Sequence, residues 1–522
     1  MSVQLRNGAM PSQGFRSATL ATAEPLPYVR AMADDLITTG LCAPDGADLE
    51  ALAAMTDAAG LVVPADASGR ERLAPYLREP RDRLQGRAAA LLRPRSTEEV
   101  SAMVAHLNAR RIALVPVSGG TGLVGGQIFT AAEPAPSPVL LSLERMNRIR
   151  DVAPEDGALI AEAGVTLQAV QEAARAVGRL FPLAMASQGS CCIGGNLATN
   201  AGGVQVLRYG NARELCLGIE AVMADGSVHH GLKRLRKDNM GYDLRGLLIG
   251  AEGTLGIITA AVLKLFQAPG ETVTAMLAVP DPSTAVSLLH RLRAILGDGL
   301  SAFELMAARG PAFIAEHFPE WRDPLADTPA WRVLLEMTGP AEWGLASRVE
   351  GAMAATMEEG IVRDGVVAAS EAQRDALWWT RETIPEANRK VGAVASHDVS
   401  VPLSAIPRFI EDAAARVARV APDLRINCFG HVGDGNLHYN LFPPAGGRAA
   451  DWLEAGRLGS AEVHEAALAL GGSFAAEHGI GRVKAAALAD RLDATKLVAM
   501  RSIKASLDPN GILNPGAVLT NR

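Results

Sequence analysis

The pattern of apolar and polar positions changes near residue 270, and different elements are predicted on the two sides. Before that point, short apolar runs alternate with helical periodicity, and Ser96-Thr97-Glu98-Glu99 has the form of a capping box at the start of a helix. Helices are predicted at 33–60, 96–110 and 166–178, and strands at 112–117, 138–142 and 158–163. Together these segments predict mixed α and β structure with two long stretches of small residues.

After residue 270 the predicted elements follow a β-α-β-β-α-β order. Strands are predicted at 272–279, 300–306, 331–337 and 361–369, and helices at 283–296 and 341–359. This is the order of a ferredoxin-like domain, and a hairpin over 424–442 would extend its sheet. Ser460 is predicted to cap a helix that ends at Gly471.

Composition and charge describe a folded protein of more than one domain. The chain has 522 residues, 48% of them apolar and 20% charged, which is too long for one core and predicts two or three domains. A net charge of −7, no long basic run and only 4% aromatic residues argue against a nucleic-acid partner. The cysteines are odd in number and form no CxxC motif, which favours a reducing compartment.

The cytoplasm is the expected location. No uninterrupted apolar run reaches the length of about 18 residues that a membrane-spanning helix needs, so only association with a membrane surface stays open. Residues 1–23 lack acidic side chains and weakly resemble a transit peptide, which would imply an organellar location. A flexible leader is the simpler interpretation of these residues.

The glycine-rich stretch after the strand at 112–117 fits an anion better than a dinucleotide fold. Gly120, Gly122 and Gly125 match G-x-G-x-x-G, but that motif needs a following helix, and three prolines between 134 and 138 oppose one. Successive glycines can turn several backbone N–H groups towards a pyrophosphate, and a hairpin loop without a ligand is the plain alternative. A second small-residue stretch, 187–203, permits close approach to a flat ligand. Two such stretches predict one large cofactor held mainly by main chain.

The stretch GHVGDGNLHYN, residues 430–440, holds two of the ten histidines of the chain. If Asp434-Gly435 forms a two-residue turn, His431 faces His438 with Cβ atoms about 4.5–5.5 Å apart, on the same face as Asn440. Two imidazoles at that separation can share a metal ion, although such a pair is more often plain surface or core. The glycine-flanked EHGIG, at 477–481, offers the carboxylate that a catalytic metal site with open positions would add.

Seven motifs occur in an order that points to a family. They are PVSGGTGLVGG, GSCCIGGNLATNAGG, LRYGN, KDNMGYDLRGLLIGAEGTLGIIT, GHVGDGNLHYN, EHGIG and DPNGILNPG. Over roughly residues 90–520 the chain resembles the FAD-linked D-2-hydroxyacid dehydrogenases of the vanillyl-alcohol-oxidase-type flavoprotein superfamily. Within that superfamily it is most similar to the branch of D-2-hydroxyglutarate and D-lactate dehydrogenases.

The resemblance implies an α+β fold with four parts. Residues 1–90 would form an N-terminal leader and helical segment, and 91–270 a two-subdomain FAD-binding module of the p-cresol methylhydroxylase (PCMH) type. Residues 271–484 would form a ferredoxin-like cap domain with an antiparallel sheet that binds substrate and metal. A C-terminal segment, 485–522, would return to the flavin and complete the FAD site.

The resemblance also implies which residues bind FAD. The residues at 118–122 would hold the pyrophosphate, the second small-residue stretch would line the flavin, and the tail would close the site. The implied set is Pro116, Ser118, Gly119, Gly120, Thr121, Gly122, Ser190, Gly194, Gly195, Asn196, Thr199, Gly202, Gly203, Tyr209, Glu252, Gly256, Ile258 and Asn514. Members that bind FAD covalently use a His or Cys of the first loop, and this loop has neither, so non-covalent FAD is expected.

For the reaction, the resemblance implies metal ligands at His431, His438 and Glu477 and a general base at His478. Zinc is the first expectation, with manganese or iron(II) as alternatives, because nitrogen and oxygen ligands do not select strongly among these ions. The expected reaction removes a proton from the metal-bound hydroxyl of a D-2-hydroxy acid and transfers a hydride from C2 to flavin N5. The product would be the 2-oxo acid.

Substrate contacts are implied at Arg381, which would bind the carboxylate, and at Asn440 and Asp398. Members that act on 2-hydroxyglutarate tend to have a Thr four residues and a Lys fifteen residues after this arginine. Here those positions are Pro385 and Ser396. The exchange lowers the expectation of 2-hydroxyglutarate itself and favours monocarboxylic or differently substituted D-2-hydroxy acids.

The expected partners are the small hydroxy acid, an electron acceptor and, for a homodimer, a second copy of the chain. An electron-transfer flavoprotein, a quinone or a cytochrome would serve as acceptor, and the sequence does not choose among them. One alternative function is an oxidase that passes electrons to oxygen. Another is a flavin-binding subunit of a multi-protein redox complex of the glycolate or lactate type.

Overall fold

A computed structural model describes residues 40–81, 83–130 and 135–520 of the chain. The leader 1–23 and the first part of the helix predicted at 33–60 lie outside the described residues. Within the described part that helix is shorter than predicted, because it spans Gly46–Ala54 and residues 55–60 do not continue it.

The first sheet is small and mainly parallel. Its strands are β1 (Leu61–Val62), β2 (Ala90–Leu92), β3 (Leu114–Val117) and β4 (Val139–Ser142), in the order β1-β2-β4-β3. The predicted helix is confirmed as Thr97–Ala109, and the Ser96 side chain accepts from the backbone N–H of Glu99 at its start. Val100 and Leu107 of this helix are buried against the sheet because helical periodicity puts them on one face. The helix Ala67–Leu73 and the 3₁₀ turn Ala74–Leu77 precede β2.

The second sheet is antiparallel, with the order β5-β6-β10-β8-β9. The strands of this region are β5 (Ile149–Ala153), β6 (Ala158–Glu162), β7 (Arg179–Leu180), β8 (Cys216–Val222), β9 (Val228–His230), β10 (Ile257–Lys264) and β11 (Phe266–Gln267), of which β7 and β11 form a separate pair. Its helices are Leu167–Ala176, Ile193–Ala198, Val206–Tyr209 and Leu244–Leu248. The predicted cap at Thr166 is confirmed, since its hydroxyl accepts from the N–H of Ala169.

Two loop predictions for this region have different outcomes. Among the described residues of 118–130 there is no helix, as expected for a glycine-rich loop that is not a dinucleotide-fold fingerprint. The stretch 187–203, which has no helical pattern, nevertheless contains the short helix Ile193–Ala198. Gly194 and Gly195 are poor helix formers, but Gly194 lies so close to Ala163, which directly follows β6, that a Cβ there would clash with it. Tertiary packing therefore fixes this helix against its propensity.

The third sheet is the largest and is antiparallel throughout. Its strands are β12 (Glu271–Val279), β13 (Leu300–Ala307), β14 (Trp331–Gly339), β15 (Asp364–Val367), β16 (Ala395–Ser400), β17 (Arg425–Gly430) and β18 (Asn436–Phe442). Their order is β15-β12-β14-β13-β17-β18-β16. The first four strands have the ferredoxin-like order, so that prediction is confirmed, and the hairpin β17–β18 extends the sheet as expected.

Period-two alternation gives this sheet one apolar face and one face that carries polar groups. Phe303 and Leu305 of β13 lie in the larger core, whereas Glu304 and Met306 point to the opposite face. The helices Pro282–Leu296, Leu345–Glu358, Ile406–Val420 and Leu453–Ala469 contribute to the larger core, and Arg309–His317 and Glu371–Val391 cover the other face. The prediction that Ser460 caps a helix is wrong, because the last helix of the larger core begins at Leu453.

The C-terminal segment returns to the first sheet. Helices Ala485–Arg491 and Ala494–Leu507 are followed by residues that run beside β3, where Leu114 N–H donates to the Ile512 carbonyl and Asn514 N–H donates to the Leu114 carbonyl, at 2.8 and 2.7 Å. The end of the chain is thereby tied to the glycine-rich loop that follows β3.

Candidate active site

The two histidines of the hairpin lie together, but not in the predicted register. β17 ends at Gly430 and β18 begins at Asn436, so a five-residue connection replaces the predicted two-residue turn. His438 pairs with Phe429, while His431 lies beyond the strand and starts a 3₁₀ turn over Val432–Asp434. The imidazole rings of His431 and His438 are nevertheless 5.4 Å apart between centroids. The predicted turn is wrong, and the predicted proximity is confirmed.

Glu477 completes a group of three side chains that could hold a metal ion. Its Oε1 lies 4.0 Å from Nε2 of His431 and 3.6 Å from Nε2 of His438, and one ligand atom of each residue lies within 4.8 Å of the others. Two donors bound at about 2.1 Å to one ion are at most about 4.2 Å apart, so the group needs only a small contraction. Two imidazoles and one carboxylate fit zinc, manganese or iron(II) and leave further positions open.

Glu304 is a buried residue of this site that the sequence analysis missed. Its Oε1 accepts from Nδ1 of His431 and its Oε2 accepts from Nε of Arg381, both at 2.7 Å. Burial would raise the pKa of Glu304, but the charges of His431 and Arg381 outweigh it and lower that pKa to about 2. Burial would likewise lower the pKa of His431, but Glu304 raises it to about 9. The signal in the sequence is a glutamate in the middle of the apolar strand SAFELMA.

Arg381 lies on the helix Glu371–Val391, which covers the polar face of the sheet. Its guanidinium lies over the ring of Phe429 at 4.8 Å, and its Nε is bound to Glu304. Among the residues that the structure describes, neither Nη group donates a hydrogen bond. The two Nη groups are therefore the part of this side chain that can bind a carboxylate in bidentate form.

His478 lies beside the metal-ligand group and is oriented by Asp398. Its Nδ1 is 3.4 Å from Oδ2 of Asp398, its Nε2 is 3.5 Å from Oε1 of Glu477, and its ring is stacked on His438 at 5.8 Å. Asp398 Oδ2 accepts from the backbone N–H groups of Glu477 and His478, and its Oδ1 accepts from the amide of Asn436. Burial would raise the pKa of Asp398, but His478 and His438 lower it below its usual range.

Asn440 lies on the same face of β18 as His438, as predicted. Its cross-strand neighbours are Asn427 on β17 and Ser396 on β16. The side-chain amide of Asn427 donates to Asn388 of the covering helix, and its buried Oδ1 has no hydrogen-bond partner. Asn427, Asn440 and Ser396 therefore form a polar row across three strands. It lies two residues along β18 from the cross-strand pair His438 and Asp398.

The two glycine-rich stretches meet at the end of β3. A Cβ at Gly119 would lie 2.1 Å from the Ser190 carbonyl oxygen, and a Cβ at Gly195 would lie 2.9 Å from the Ser118 hydroxyl. Gly122 has open space around the position of a Cβ. The amide nitrogen of Asn196 is buried without a hydrogen-bond partner. Backbone exposed to open space and a buried donor fit a ligand such as FAD, which would accept from them.

Glu252 and Asn514 connect these stretches to the tail and to EHGIG. Glu252 accepts from the backbone N–H groups of Ile480 and Gly481 at 2.7 and 2.8 Å, and burial raises its pKa. Asn514 donates to the Glu252 carbonyl oxygen at 2.8 Å. Both residues have positive φ, 51° and 44°, a sparsely populated backbone state that is often found at functional sites.

Other residues of the predicted FAD set differ in what they contact within the protein. Pro116 packs against the backbone of Gly253. A Cβ at Gly202 would lie 3.4 Å from Glu477 Oε2, so Gly202 brings the second small-residue stretch next to the metal-ligand group. Several others have contacts within the protein that are structural: they are Gly194 against Ala163, Gly203 against Ala184, Gly256 against Leu248, and the Thr199 hydroxyl on the Gly195 carbonyl. The Tyr209 ring contacts Phe266 and Arg208, away from the end of β3, and Ile258 is buried in β10.

Two family models of FAD-linked proteins match successive parts of this chain. Residues 88–231 match the family model "FAD binding domain", and residues 268–518 match "FAD linked oxidases, C-terminal domain". A D-2-hydroxyglutarate dehydrogenase of Xanthomonas citri pv. viticola is 39% identical over 82% of this chain and 88% of its own length. The chain belongs to the FAD-linked D-2-hydroxyacid dehydrogenase family. The resemblance carried by the seven motifs is thus confirmed, and the protein is an FAD-linked oxidoreductase.

Another relative agrees with this family, and solved structures agree with the fold. A mitochondrial D-2-hydroxyglutarate dehydrogenase of Bos taurus is 37% identical over 84% of this chain and 78% of its own length. The 4-ethylphenol oxidase of Gulosibacter chungangensis is 20% identical, covers 92% of this chain and 99% of its own, and superposes with a TM-score of 0.69. The corresponding values for p-cresol methylhydroxylase are 17%, 92%, 98% and 0.68, so the predicted α+β fold of the PCMH type is confirmed.

In the described part of the chain, no helix combines the length and apolar character required to cross a membrane. The cytoplasmic location stays a prediction, since the family has both bacterial and mitochondrial members.

Proposed function

We propose that the protein oxidises a D-2-hydroxy acid to the 2-oxo acid, using non-covalently bound FAD and a divalent metal ion. The observation that carries this proposal is the position of His431, His438 and Glu477 directly beside the glycine-rich stretches of the FAD-binding module. Gly202 lies next to Glu477 there, since a Cβ added to that glycine would lie 3.4 Å from Oε2. The relatives of this chain are named as dehydrogenases of D-2-hydroxyglutarate, a D-2-hydroxy acid.

The metal ion and FAD would each supply one part of the chemistry. A divalent ion lowers the pKa of a hydroxyl, and a flavin accepts a hydride. His431, His438 and Glu477 are the residues that would hold the ion. Zinc is our first choice, and the donor set also accepts manganese or iron(II).

His478 is the proposed general base. Its Nδ1 faces the carboxylate of Asp398, which favours the tautomer with a proton on Nδ1 and leaves Nε2 free to accept one. Nε2 points to the metal-ligand group, 3.5 Å from Glu477 Oε1, where the substrate hydroxyl would lie. Asp398, whose oxygens accept from protein donors, is then proposed as a positioning residue instead of the substrate contact that the resemblance implied.

Arg381 and Asn440 are the proposed substrate contacts. The residues around them favour a substrate with one carboxylate over a substrate with two. The Nη groups of Arg381 would bind the carboxylate in bidentate form. At the positions where 2-hydroxyglutarate-specific members tend to have Thr and Lys, this chain has Pro385 and Ser396. Ser396 lies cross-strand from Asn440, so this part of the polar row offers a hydroxyl instead of a cation. We therefore propose a monocarboxylic D-2-hydroxy acid as substrate.

The test is dye-coupled oxidation of D- and L-lactate, D- and L-2-hydroxybutyrate, and D- and L-2-hydroxyglutarate by the flavin-loaded protein. We expect turnover of D-monocarboxylates, loss of turnover after treatment with a chelator, and recovery on addition of Zn²⁺ or Mn²⁺. Turnover that survives complete removal of metal would contradict the metal role, and preference for L-acids would contradict the substrate class. Peroxide release under air without dye would indicate an oxidase instead of a dehydrogenase.

A further inference from the structure

We infer that Glu304 positions the metal ligand His431 and the substrate arginine Arg381 together, so that one buried carboxylate couples the metal site to the substrate site. The inference rests on the proposed function, because it needs a metal at His431 and a carboxylate at Arg381. It goes beyond that function by naming a residue that touches neither metal nor substrate and that controls both.

The geometry gives each oxygen of Glu304 one partner. Oε1 accepts from His431 Nδ1 and Oε2 accepts from Arg381 Nε, both at 2.7 Å, and the Glu304 side chain has no solvent exposure. A proton held on Nδ1 leaves Nε2 of His431 as the lone-pair donor, and Nε2 is the atom that faces Glu477. The same carboxylate holds Nε of Arg381, which fixes the plane of the guanidinium and therefore the direction of its Nη groups.

A carboxylate suits this position because it has two equivalent acceptors. Glutamine has nearly the same shape but only one acceptor, and its NH₂ group would face a donor on one of the two sides. If its oxygen turned to Arg381, its NH₂ would donate to Nδ1 of His431. The proton of this imidazole would then lie on Nε2, where it would block metal binding. If its oxygen turned to His431, Arg381 would lose its anchor. Glu304→Gln can therefore serve only one of the two partners.

The chain also offers a matched control. Glu336 lies on β14, next to β13 in the sheet, and its cross-strand partner is Ala302, two residues before Glu304. The alternation of the strands places Glu336 on the same face as Glu304, and it is nearly as buried at 8% exposure. Its carboxylate binds Trp378 and Thr274, not a histidine or an arginine. Glu336→Gln thus also replaces a buried carboxylate on this face by an amide, but it leaves the bonds to His431 and Arg381 unchanged.

The experiment measures two quantities for flavin-loaded wild type, Glu304→Gln, Glu336→Gln and Arg381→Gln. The first is the Zn²⁺ dissociation constant, from competition with a chromophoric chelator in the absence of substrate. The second is kcat and KM for the D-2-hydroxy acid that wild type oxidises fastest. We expect Glu304→Gln to weaken Zn²⁺ binding about 10–100-fold or to raise KM by a similar factor, as for other residues that orient metal ligands. Arg381→Gln should raise KM while Zn²⁺ binding stays within threefold of wild type.

The outcomes separate this inference from the proposed function. Wild type that binds no Zn²⁺ or oxidises no hydroxy acid contradicts the proposed function. Wild type that does both, with Glu304→Gln matching Glu336→Gln in Zn²⁺ affinity and KM, overturns the inference alone. If Glu304→Gln loses its flavin or its folded state, Glu304→Asp replaces it, because the shorter side chain keeps two acceptors but cannot reach both partners at 2.7 Å. Wild-type values in Glu304→Asp would then overturn the inference.

Discussion

Individual side chains in this site act through hydrogen bonds to segments that carry other functional groups. Asp398 is 2% exposed, and it accepts from the amides of Glu477 and His478 and from the side chain of Asn436. A carboxylate that accepts several N–H groups is stabilised in its charged form. The negative charge beside Nδ1 then holds the His478 ring in one orientation and one tautomer.

At the scale of the residue, we expect His478→Ala to keep bound flavin and lose turnover. The contacts of the His478 side chain are with Asp398, Glu477 and His438, none of which belongs to the glycine-rich stretches. Removal of a general base lowers kcat by about 10²–10⁴-fold. The measurement is kcat together with the flavin absorbance per protein. His290→Ala, on an exposed position of the helix Pro282–Leu296, is the control, and near-normal kcat in His478→Ala would remove this residue as the base.

At the scale of the element, the local sequence pattern predicts some parts of the fold and misses others. The first four strands and the hairpin of the third sheet were predictable from their short apolar runs, whereas β16 was not, because its sequence ASHDVS has few apolar residues. The connection of the hairpin could not be predicted, because Asp434-Gly435 suits a two-residue turn. The structure instead has a 3₁₀ turn that is followed by Gly435 with a φ of 88°. Glu304 escaped notice because one acid in an apolar strand carries no signal of its partners, which lie 77 and 127 residues away.

The contact between β16 and the helix Leu453–Ala469 contains a histidine that should make stability depend on pH. His397 is buried, bonded to the Tyr439 carbonyl oxygen and the Ser460 hydroxyl, and packed against the ring of His464. Burial lowers the pKa of His397 from 6.5 to about 4, and it lowers that of His464 to about 3. Lys484 opposes their protonation as well.

At the scale of this element, we expect the free energy of unfolding to fall as the pH drops. Between the unfolded and folded pKa values the unfolded chain binds more protons, so acidification favours unfolding. For His397 alone, linkage gives a loss of about 2 kcal/mol between pH 7 and pH 5. Urea unfolding at both pH values measures it. His397→Asn should show a smaller difference between the two pH values than wild type, and an equal difference would contradict this assignment.

Across the whole molecule, the functional parts come from segments that are far apart in sequence. The sequence showed the motifs and their order. It did not show that Glu252 would bind the amides of residues 480 and 481, which lie 228 and 229 residues later. It also gave no sign that Lys504 is buried and donates to Thr254, Leu513 and Asp508. Such contacts follow from the complete packing and have no local pattern.

At this scale, we expect Lys504→Met to loosen the tail and weaken FAD binding. Removing one partner of a buried ion pair leaves the Asp508 charge uncompensated, which costs about 3–5 kcal/mol. Asp508 also accepts from the N–H groups of Ile512 and Leu513, just before Asn514 reaches Glu252. The measurements are urea unfolding and flavin loss during dialysis. Lys496→Met, on an exposed position of the same helix, is the control. Unchanged flavin retention in Lys504→Met would contradict a role of the tail in FAD binding.

The segment from Glu477 to Gly481 is held at both ends. Asp398 of the third sheet binds its first two amides, and Glu252, in the loop before β10, binds its last two. The number of residues between these anchors therefore sets the spacing of the two halves of the site. One inserted or deleted residue would move one pair of amides off its carboxylate. Over evolutionary time we expect changes in chain length to accumulate in surface loops such as 443–448, while this segment keeps its length.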